Sequence, residues 1–142
     1  MSEAAYDWRS ILEGRPHWMN ALMLFCAFMA VIYVPWDLFF KPIAEDQEVW
    51  FGLMLTGWGA KLTEPIHLAI YAAGAWGFYR MRPYMWPWAT VYVAQISFGM
   101  LVWAVLELGG IRGWVGGILF ATPFAALAFA LHRARDLFRP AG

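Results

Sequence analysis

Four long apolar segments dominate this chain of 142 residues and restrict the folds that are open to it. They cover residues 18–40, 50–78, 84–108 and 111–131, and each reaches or exceeds the ~20 residues that a helix needs to cross a bilayer. Hydrophobic residues make up 62% of the sequence and charged residues only 14%, whereas charged residues are roughly 25% of a typical soluble domain. The sequence therefore predicts a single all-α domain, residues 1–142, with four transmembrane helices.

The basic residues predict how these helices are oriented. Seven of the ten lysines and arginines precede the first segment, lie between the second and third segments, or follow the fourth. Cytoplasmic loops carry an excess of lysine and arginine. The pattern predicts a multi-pass protein of a bacterial-type inner membrane with both termini in the cytoplasm. The formal net charge of zero argues against nucleic acid as a partner, because such binding needs a basic surface.

Polar residues and helix breakers interrupt the second segment. As one helix, its 29 residues would measure about 43 Å, which exceeds the ~30 Å hydrocarbon core. Pro65 lacks a backbone donor and clashes with the carbonyl of Lys61, while Thr63 followed by Glu64 resembles a helix start with threonine as the N-cap. One kinked helix and an interfacial or re-entrant piece followed by a spanning helix from Glu64 both stay open. We expect a break or a strong kink between residues 59 and 65.

The same interruption holds ionisable side chains at membrane depth, which are costly there and usually mark function. At 100° per residue, four residues in or just after this interruption share one face of a helix, namely Lys61, Glu64, His67 and Tyr71. We expect this face to border an outward-facing cavity of polar and aromatic side chains. Further residues expected around that cavity are Asp37, Trp58, Tyr92, Gln95 and Glu107.

A cavity of this composition suits acid–base chemistry on a small lipophilic molecule. Carboxyls in apolar surroundings hold protons at neutral pH, and aromatic rings stabilise cations. We expect Glu64 to donate a proton and Asp37 or His67 to accept one, in the isomerisation or cyclisation of a sterol, terpenoid or quinone-like lipid. Asp37 and the pair Glu64-Pro65 resemble the acids of the sterol-isomerase and sigma-2 receptor-like family of membrane proteins. The first loop is shorter here, and Lys61 and His67 have no clear counterpart in that family.

Other readings of the same residues stay open. Glu64 and His67 have the Glu-x-x-His spacing of helical di-metal sites, but the chain has one copy where two are needed, so no metal site is predicted. Haem or a chlorophyll-type pigment would need a histidine ligand, and the sequence identifies no cofactor. Two other classes of function are a non-catalytic accessory or assembly subunit of a larger membrane complex and a proton-coupled transporter acting as an oligomer.

The fourth segment carries a ridge of small side chains at four-residue spacing, which lets another backbone approach closely. The ridge consists of Gly113, Gly117, Ala121 and Ala125. A similar ridge in the second segment consists of Ala69, Ala73 and Gly77. The spacing predicts either that these two helices pack on each other or that the ridge of the fourth segment contacts a second copy or a partner in a membrane complex.

Overall fold

The computed structural model of the protein describes residues 12–139, and these are mostly helical. The helices are α1 (His17–Phe40), α2 (Glu64–Arg80), α3 (Met85–Leu108) and α4 (Gly110–Arg133). α1 packs mainly on α2, and α3 packs mainly on α4. Within the described residues, α1, α3 and α4 are long and apolar enough to cross a membrane. The mostly helical structure agrees with the predicted all-α fold, and the three long apolar helices indicate a membrane protein.

Three of the predicted segments correspond closely to helices. Segments 18–40, 84–108 and 111–131 lie within two residues of the ends of α1, α3 and α4. The second segment, 50–78, differs, because only its later part is helical as predicted. α2 begins at Glu64, which agrees with the expected break between residues 59 and 65.

The part of the chain ahead of α2 forms a small β-hairpin that the sequence did not predict. Strand β1 (Gln47–Trp50) pairs antiparallel with β2 (Leu53–Thr56). A single helical turn, Trp58–Lys61, then leads to α2, whose first turn contains Pro65. We call the end of the bundle that holds residues 41–63 the hairpin end.

The turn of this hairpin rests on α3. Phe51 and Gly52 form the turn and have φ values of 52° and 90°, as two-residue hairpin turns require. A Cβ atom added at Gly52 would lie only 2.4 Å from the Cβ of Val102. Glycine is therefore needed here both for its backbone conformation and for the close approach to α3.

Replacing Gly52 by alanine is expected to destabilise the protein by about 2–3 kcal/mol, because the change adds backbone strain and an overlap with Val102. Gly110→Ala is the control, since Gly110 also has a positive φ, 49°, but no atom within 4 Å of an added Cβ. Thermal unfolding in detergent compares the two variants. Equal losses of stability would contradict the contact between the hairpin turn and α3.

α1 passes through Pro35 without ending there. A π-helical stretch, Met29–Tyr33, lies just before this proline. Proline has no N–H and its ring clashes with the carbonyl four residues earlier, so a wider turn accommodates it. The helix then continues as Val34–Phe40 and places Asp37 in the interior, where it is fully buried.

The ridge of small residues in α4 packs against α3. An added Cβ at Gly113 would lie 2.9 Å from a backbone oxygen of α3, and one at Gly117 would lie 3.1 Å from another. In α2, Ala69 and Ala73 are exposed. The ridges of α2 and α4 therefore do not pack on each other through these glycines. Contact of the α4 ridge with a second copy or a complex partner stays a prediction. Ala125 of this ridge is exposed and so remains available for such a contact.

The opposite end of the bundle, which holds both ends of the described chain, has an apolar core. Its buried members are Met19, Phe78, Met85, Leu131 and Phe138. Arg15, which is also buried, donates a hydrogen bond to the carbonyl of Phe78. The apolar core and the charged groups of the hairpin end therefore occupy opposite ends of the helices.

Candidate functional site

Four charged residues at the hairpin end form a closed ring of ion pairs. Lys41 Nζ lies 3.0 Å from Asp37 Oδ2 and 2.9 Å from Asp46 Oδ1. Lys61 Nζ lies 3.3 Å from Asp37 Oδ1 and 2.9 Å from Asp46 Oδ2. Both aspartates are fully buried, where a charge is tolerated only with a partner. We call Asp37, Lys41, Asp46 and Lys61 the ion ring.

Three members of the ion ring, Lys41, Asp46 and Lys61, stay charged around neutral pH. Burial alone would raise the pKa of Asp46, but hydrogen bonds from Lys41 and Lys61 outweigh it and lower that pKa. Burial would likewise lower the pKa of each lysine, but hydrogen bonds to Asp46 and Asp37 raise both. Lys61 also donates to the backbone carbonyls of Asp37 and Lys41. The ring therefore carries two positive and two negative charges that balance.

This arrangement changes what was expected of Lys61 and Asp37. Lys61 lies on the short helical turn ahead of α2, so it pairs with Asp37 and Asp46 and not with Glu64 in the described part of the chain. Asp37 has both carboxylate oxygens paired with lysines. Asp37 was also expected to border the cavity and act as a base, whereas it is fully buried in the ring.

Beside the ion ring lie Glu48 of β1 and Glu64 and His67 of α2, which we call the carboxyl–histidine group. One ligand atom of each lies within 4.8 Å of the others, and His67 Nδ1 is 3.9 Å from Glu64 Oε1. Glu64 is only 1% exposed, and its Oε1 has no hydrogen-bond partner among the described residues. The imidazole of His67 stacks on Trp50, with ring centroids 4.8 Å apart, which fixes the orientation of the ring.

The two glutamates of this group are placed to share a proton. Burial raises the pKa of Glu48, and the nearby carboxylates of Asp37 and Asp46 raise it further, while a hydrogen bond with Glu64 and the charge of Lys41 oppose the rise. Two carboxyls this close avoid being ionised together. One of them can therefore keep a proton near neutral pH and donate it to a bound molecule.

A polar cavity of about 330 Å³ lies beside the carboxyl–histidine group, between β1, α2 and α3. Its polar and aromatic lining includes Glu48, Trp50, His67, Tyr71, Tyr92 and Gln95. Four of the residues predicted for the site, His67, Tyr71, Tyr92 and Gln95, are thus brought together around one space. The indole Nε1 of Trp50 has no hydrogen-bond partner within residues 12–139, so it is a spare donor near this cavity.

A second, apolar cavity of about 670 Å³ adjoins the first. It lies between the four helices, and its lining includes Phe25, Ile70, Trp88 and Phe124. The two cavities share Tyr71, Tyr92 and Ile96. Both volumes fall in the range of small-molecule sites, roughly 300–1,000 Å³.

Three other predicted features lie apart from these cavities. Trp58 is 64% exposed, and Glu107 is exposed at the end of α3; neither is among the described residues that line the two spaces. Trp58 belongs to the separate helical turn, so helix angles counted from α2 do not apply to it. Thr63 precedes α2 as expected, but its hydroxyl donates to the carbonyl of Ala60 and does not cap the helix.

The sequence prediction did not include Glu48, which completes the carboxyl–histidine group. A period-two pattern was the signal that indicated it. Asp46, Glu48 and Trp50 alternate along the chain, and alternate residues of a strand point to the same face. Asp46, just before β1, supplies an acid to the ion ring, and β1 itself supplies an acid to the carboxyl–histidine group and the ring that stacks on His67.

Compared with protein families, with curated proteins and with solved structures, the chain matches none of them.

Proposed function

We propose that this protein is an inner-membrane protein that binds a small lipophilic molecule with a polar head and transforms it by acid–base chemistry. The observation that carries the proposal is the pair of adjoining cavities. An apolar space between the helices meets a polar space at Tyr71, Tyr92 and Ile96. A molecule with an apolar body and one polar end, such as a sterol, a terpenoid or a quinone-like lipid, would place its body in the apolar cavity and its polar end in the polar cavity.

We place the protein in the membrane with four spans, of which α2 is the shortest. Its 17 residues measure about 26 Å, close to the ~30 Å hydrocarbon core and within the known range of spanning helices. The excess of arginine at the ends of the chain and between α2 and α3 supports an orientation with both termini in the cytoplasm. The hairpin end and the polar cavity then face the outer side.

The polar cavity offers contacts that suit an oxygen-bearing or hydrogen-bonding head group. Gln95 provides both a donor and an acceptor, Trp50 provides a donor, and Glu48 provides a carboxyl. The faces of Tyr71 and Tyr92 lie where the body of the ligand would pass from the polar to the apolar space. Their quadrupoles favour a positive charge that develops on the bound molecule.

In the proposed reaction the carboxyl–histidine group moves the proton. Glu48, which lines the polar cavity, donates to the ligand the proton that it shares with Glu64, and His67 accepts a proton at a second position of the ligand. A general acid and a general base in one site suit isomerisation or cyclisation without a net change in protons. We assign Asp37 to holding the ion ring together, in place of the role of base that the sequence suggested.

Filling the apolar cavity is expected to remove the ligand. Ala89 lines this cavity, so Ala89→Phe should lower the fraction of protein that carries a co-purifying lipophilic molecule by at least about tenfold, since overpacking by more than a methylene is strongly unfavourable. Native mass spectrometry of gently purified protein measures that fraction. Ala94→Phe is the control, because Ala94 lies on the same helix but is exposed.

The same measurement tests the polar end of the site. Glu64→Gln keeps the shape of the side chain but removes its acidic proton, so we expect it to lose the ligand or its conversion, whereas the exposed Glu107→Gln should keep both. A wild-type protein without any bound lipophilic molecule, or an Ala89→Phe protein with unchanged occupancy, would contradict the proposal.

A further inference from the structure

Two carboxyls beside the ion ring, those of Glu48 and Glu64, have no cationic partner in residues 12–139. Asp37 and Asp46 are each paired with Lys41 and Lys61, and these four charges cancel. Glu48 and Glu64 form no ion pair with lysine or arginine in residues 12–139. The imidazole of His67, which lies next to Glu64 in the carboxyl–histidine group, is neutral unless it is protonated.

The unpartnered atom of this group points to a missing ligand. Glu64 Oε1 is buried without a hydrogen-bond partner in the described part of the chain, on a residue only 1% exposed. It faces His67 Nδ1 at 3.9 Å, a distance too long for a hydrogen bond between them. A buried acceptor beside an imidazole nitrogen and a second carboxyl is the arrangement that a bound cation would satisfy.

We propose that Glu48, Glu64 and His67 bind one divalent first-row transition-metal ion, such as Zn²⁺, Mn²⁺ or Fe²⁺. Imidazole nitrogen favours these ions over Mg²⁺ and Ca²⁺, and the carboxylates supply the charge. Bonds of about 2.0–2.2 Å place the donor atoms roughly 3–4 Å apart. The three donor atoms lie within 4.8 Å of one another, so a side-chain movement of about 1 Å brings them into that range.

The surroundings of the three ligands support a preformed site. Trp50 stacks on His67 and restricts its rotation, and the pairing of β1 with β2 fixes the backbone of Glu48. Glu48 and His67 also line the polar cavity, so the ion would have an open coordination position facing that space.

The sequence did not predict this metal site because Glu64 and His67 alone are too few ligands. Glu48 supplies the third ligand. The inference goes beyond the proposed function and does not require it: with the ion bound, the three side chains act as its ligands, so the proton transfer proposed above belongs to the metal-free protein.

Metal binding is tested on the full chain, stripped with a chelator and kept in detergent. Zn²⁺ alone is titrated by isothermal calorimetry, and Co²⁺ absorption reports the coordination. We expect one equivalent of Zn²⁺ to bind, and Glu48→Gln and His67→Asn each to weaken binding by at least about tenfold. Matched controls are Glu45→Gln and His17→Asn, since both residues are exposed and lie outside the group. Circular dichroism verifies that each variant is folded.

The inference is overturned if the wild-type protein binds no stoichiometric Zn²⁺, or if folded Glu48→Gln and His67→Asn proteins bind it as tightly as the two controls. Native mass spectrometry of the chelator-stripped protein separates this result from the proposed function. Zinc binding without a lipophilic ligand supports the metal site and contradicts the proposed function. A bound lipophilic ligand without zinc binding supports the proposed function and contradicts the metal site.

Discussion

Replacing Lys61 by methionine is expected to lower the free energy of unfolding by about 3–5 kcal/mol, because it leaves two buried aspartates facing one lysine. Lys61 is only 6% exposed, and its Nζ lies 3.3 Å from Asp37 and 2.9 Å from Asp46. Water therefore cannot easily replace the lost ammonium. Thermal or denaturant unfolding of the purified protein in detergent measures the loss.

Two comparisons isolate the effect of the buried charge. Arg112→Met removes an exposed cation and is expected to change stability by less than about 0.5 kcal/mol. Adding Asp46→Asn to Lys61→Met is expected to recover part of the loss, because the remaining Asp37 and Lys41 again balance. The role of the ion ring would be refuted by a Lys61→Met protein as stable as the Arg112→Met protein.

Gly113→Ala is expected to destabilise the protein by about 3 kcal/mol, at the upper end of the usual cost of overpacking. An added Cβ would lie 2.9 Å from the carbonyl oxygen of Ala104 and 2.9 Å from the Cα of Val105. Both are backbone atoms, so α3 must move away from α4 to make room. The midpoint of thermal unfolding in detergent is the measurement.

Gly116→Ala provides the matched comparison one turn further along α4. The nearest atom to an added Cβ there is Leu108 Cδ1 at 3.1 Å, the end of a flexible side chain. Alanine stabilises the interior of a helix by roughly 0.5–1 kcal/mol relative to glycine. The stability of this variant is therefore expected to be unchanged or slightly increased. The same loss in both variants would show that α3 and α4 do not approach closely at Gly113.

The fold was predictable where length and apolar composition decide the structure. α1, α3 and α4 follow from their apolar runs, and the start of α2 follows from Glu64 and Pro65. The hairpin was not predictable in the same way. Leu53–Thr56 is apolar apart from its last residue, so it reads as part of a membrane span, and the turn Phe51-Gly52 lacks the usual Asn-Gly or Asp-Gly signal.

The candidate site was predictable only where residues share a helix face or a common depth. Glu64, His67 and Tyr71 follow from their spacing along α2, and Tyr92 and Gln95 follow from their positions within α3. Contacts made by the loop ahead of α2 depend on strand pairing and on where the chain turns. Strand pairing is not local in sequence, so helical spacing could not give the ion ring, and the alternation of Asp46, Glu48 and Trp50 indicates the contribution of β1 only once this segment is known to be a strand.

The widened turn at Met29–Tyr33 sets the rotational register of the rest of α1. A regular helix advances about 100° per residue, and a π-helical turn accommodates one residue more than an α-helical turn. Residues after it are therefore rotated by about 100° from where an uninterrupted helix would carry them, and this rotation brings Asp37 to face Lys61. The length of the first membrane segment and the pairing with the turn ahead of α2 are thus linked, because removing one residue from the segment would turn Asp37 away from Lys61.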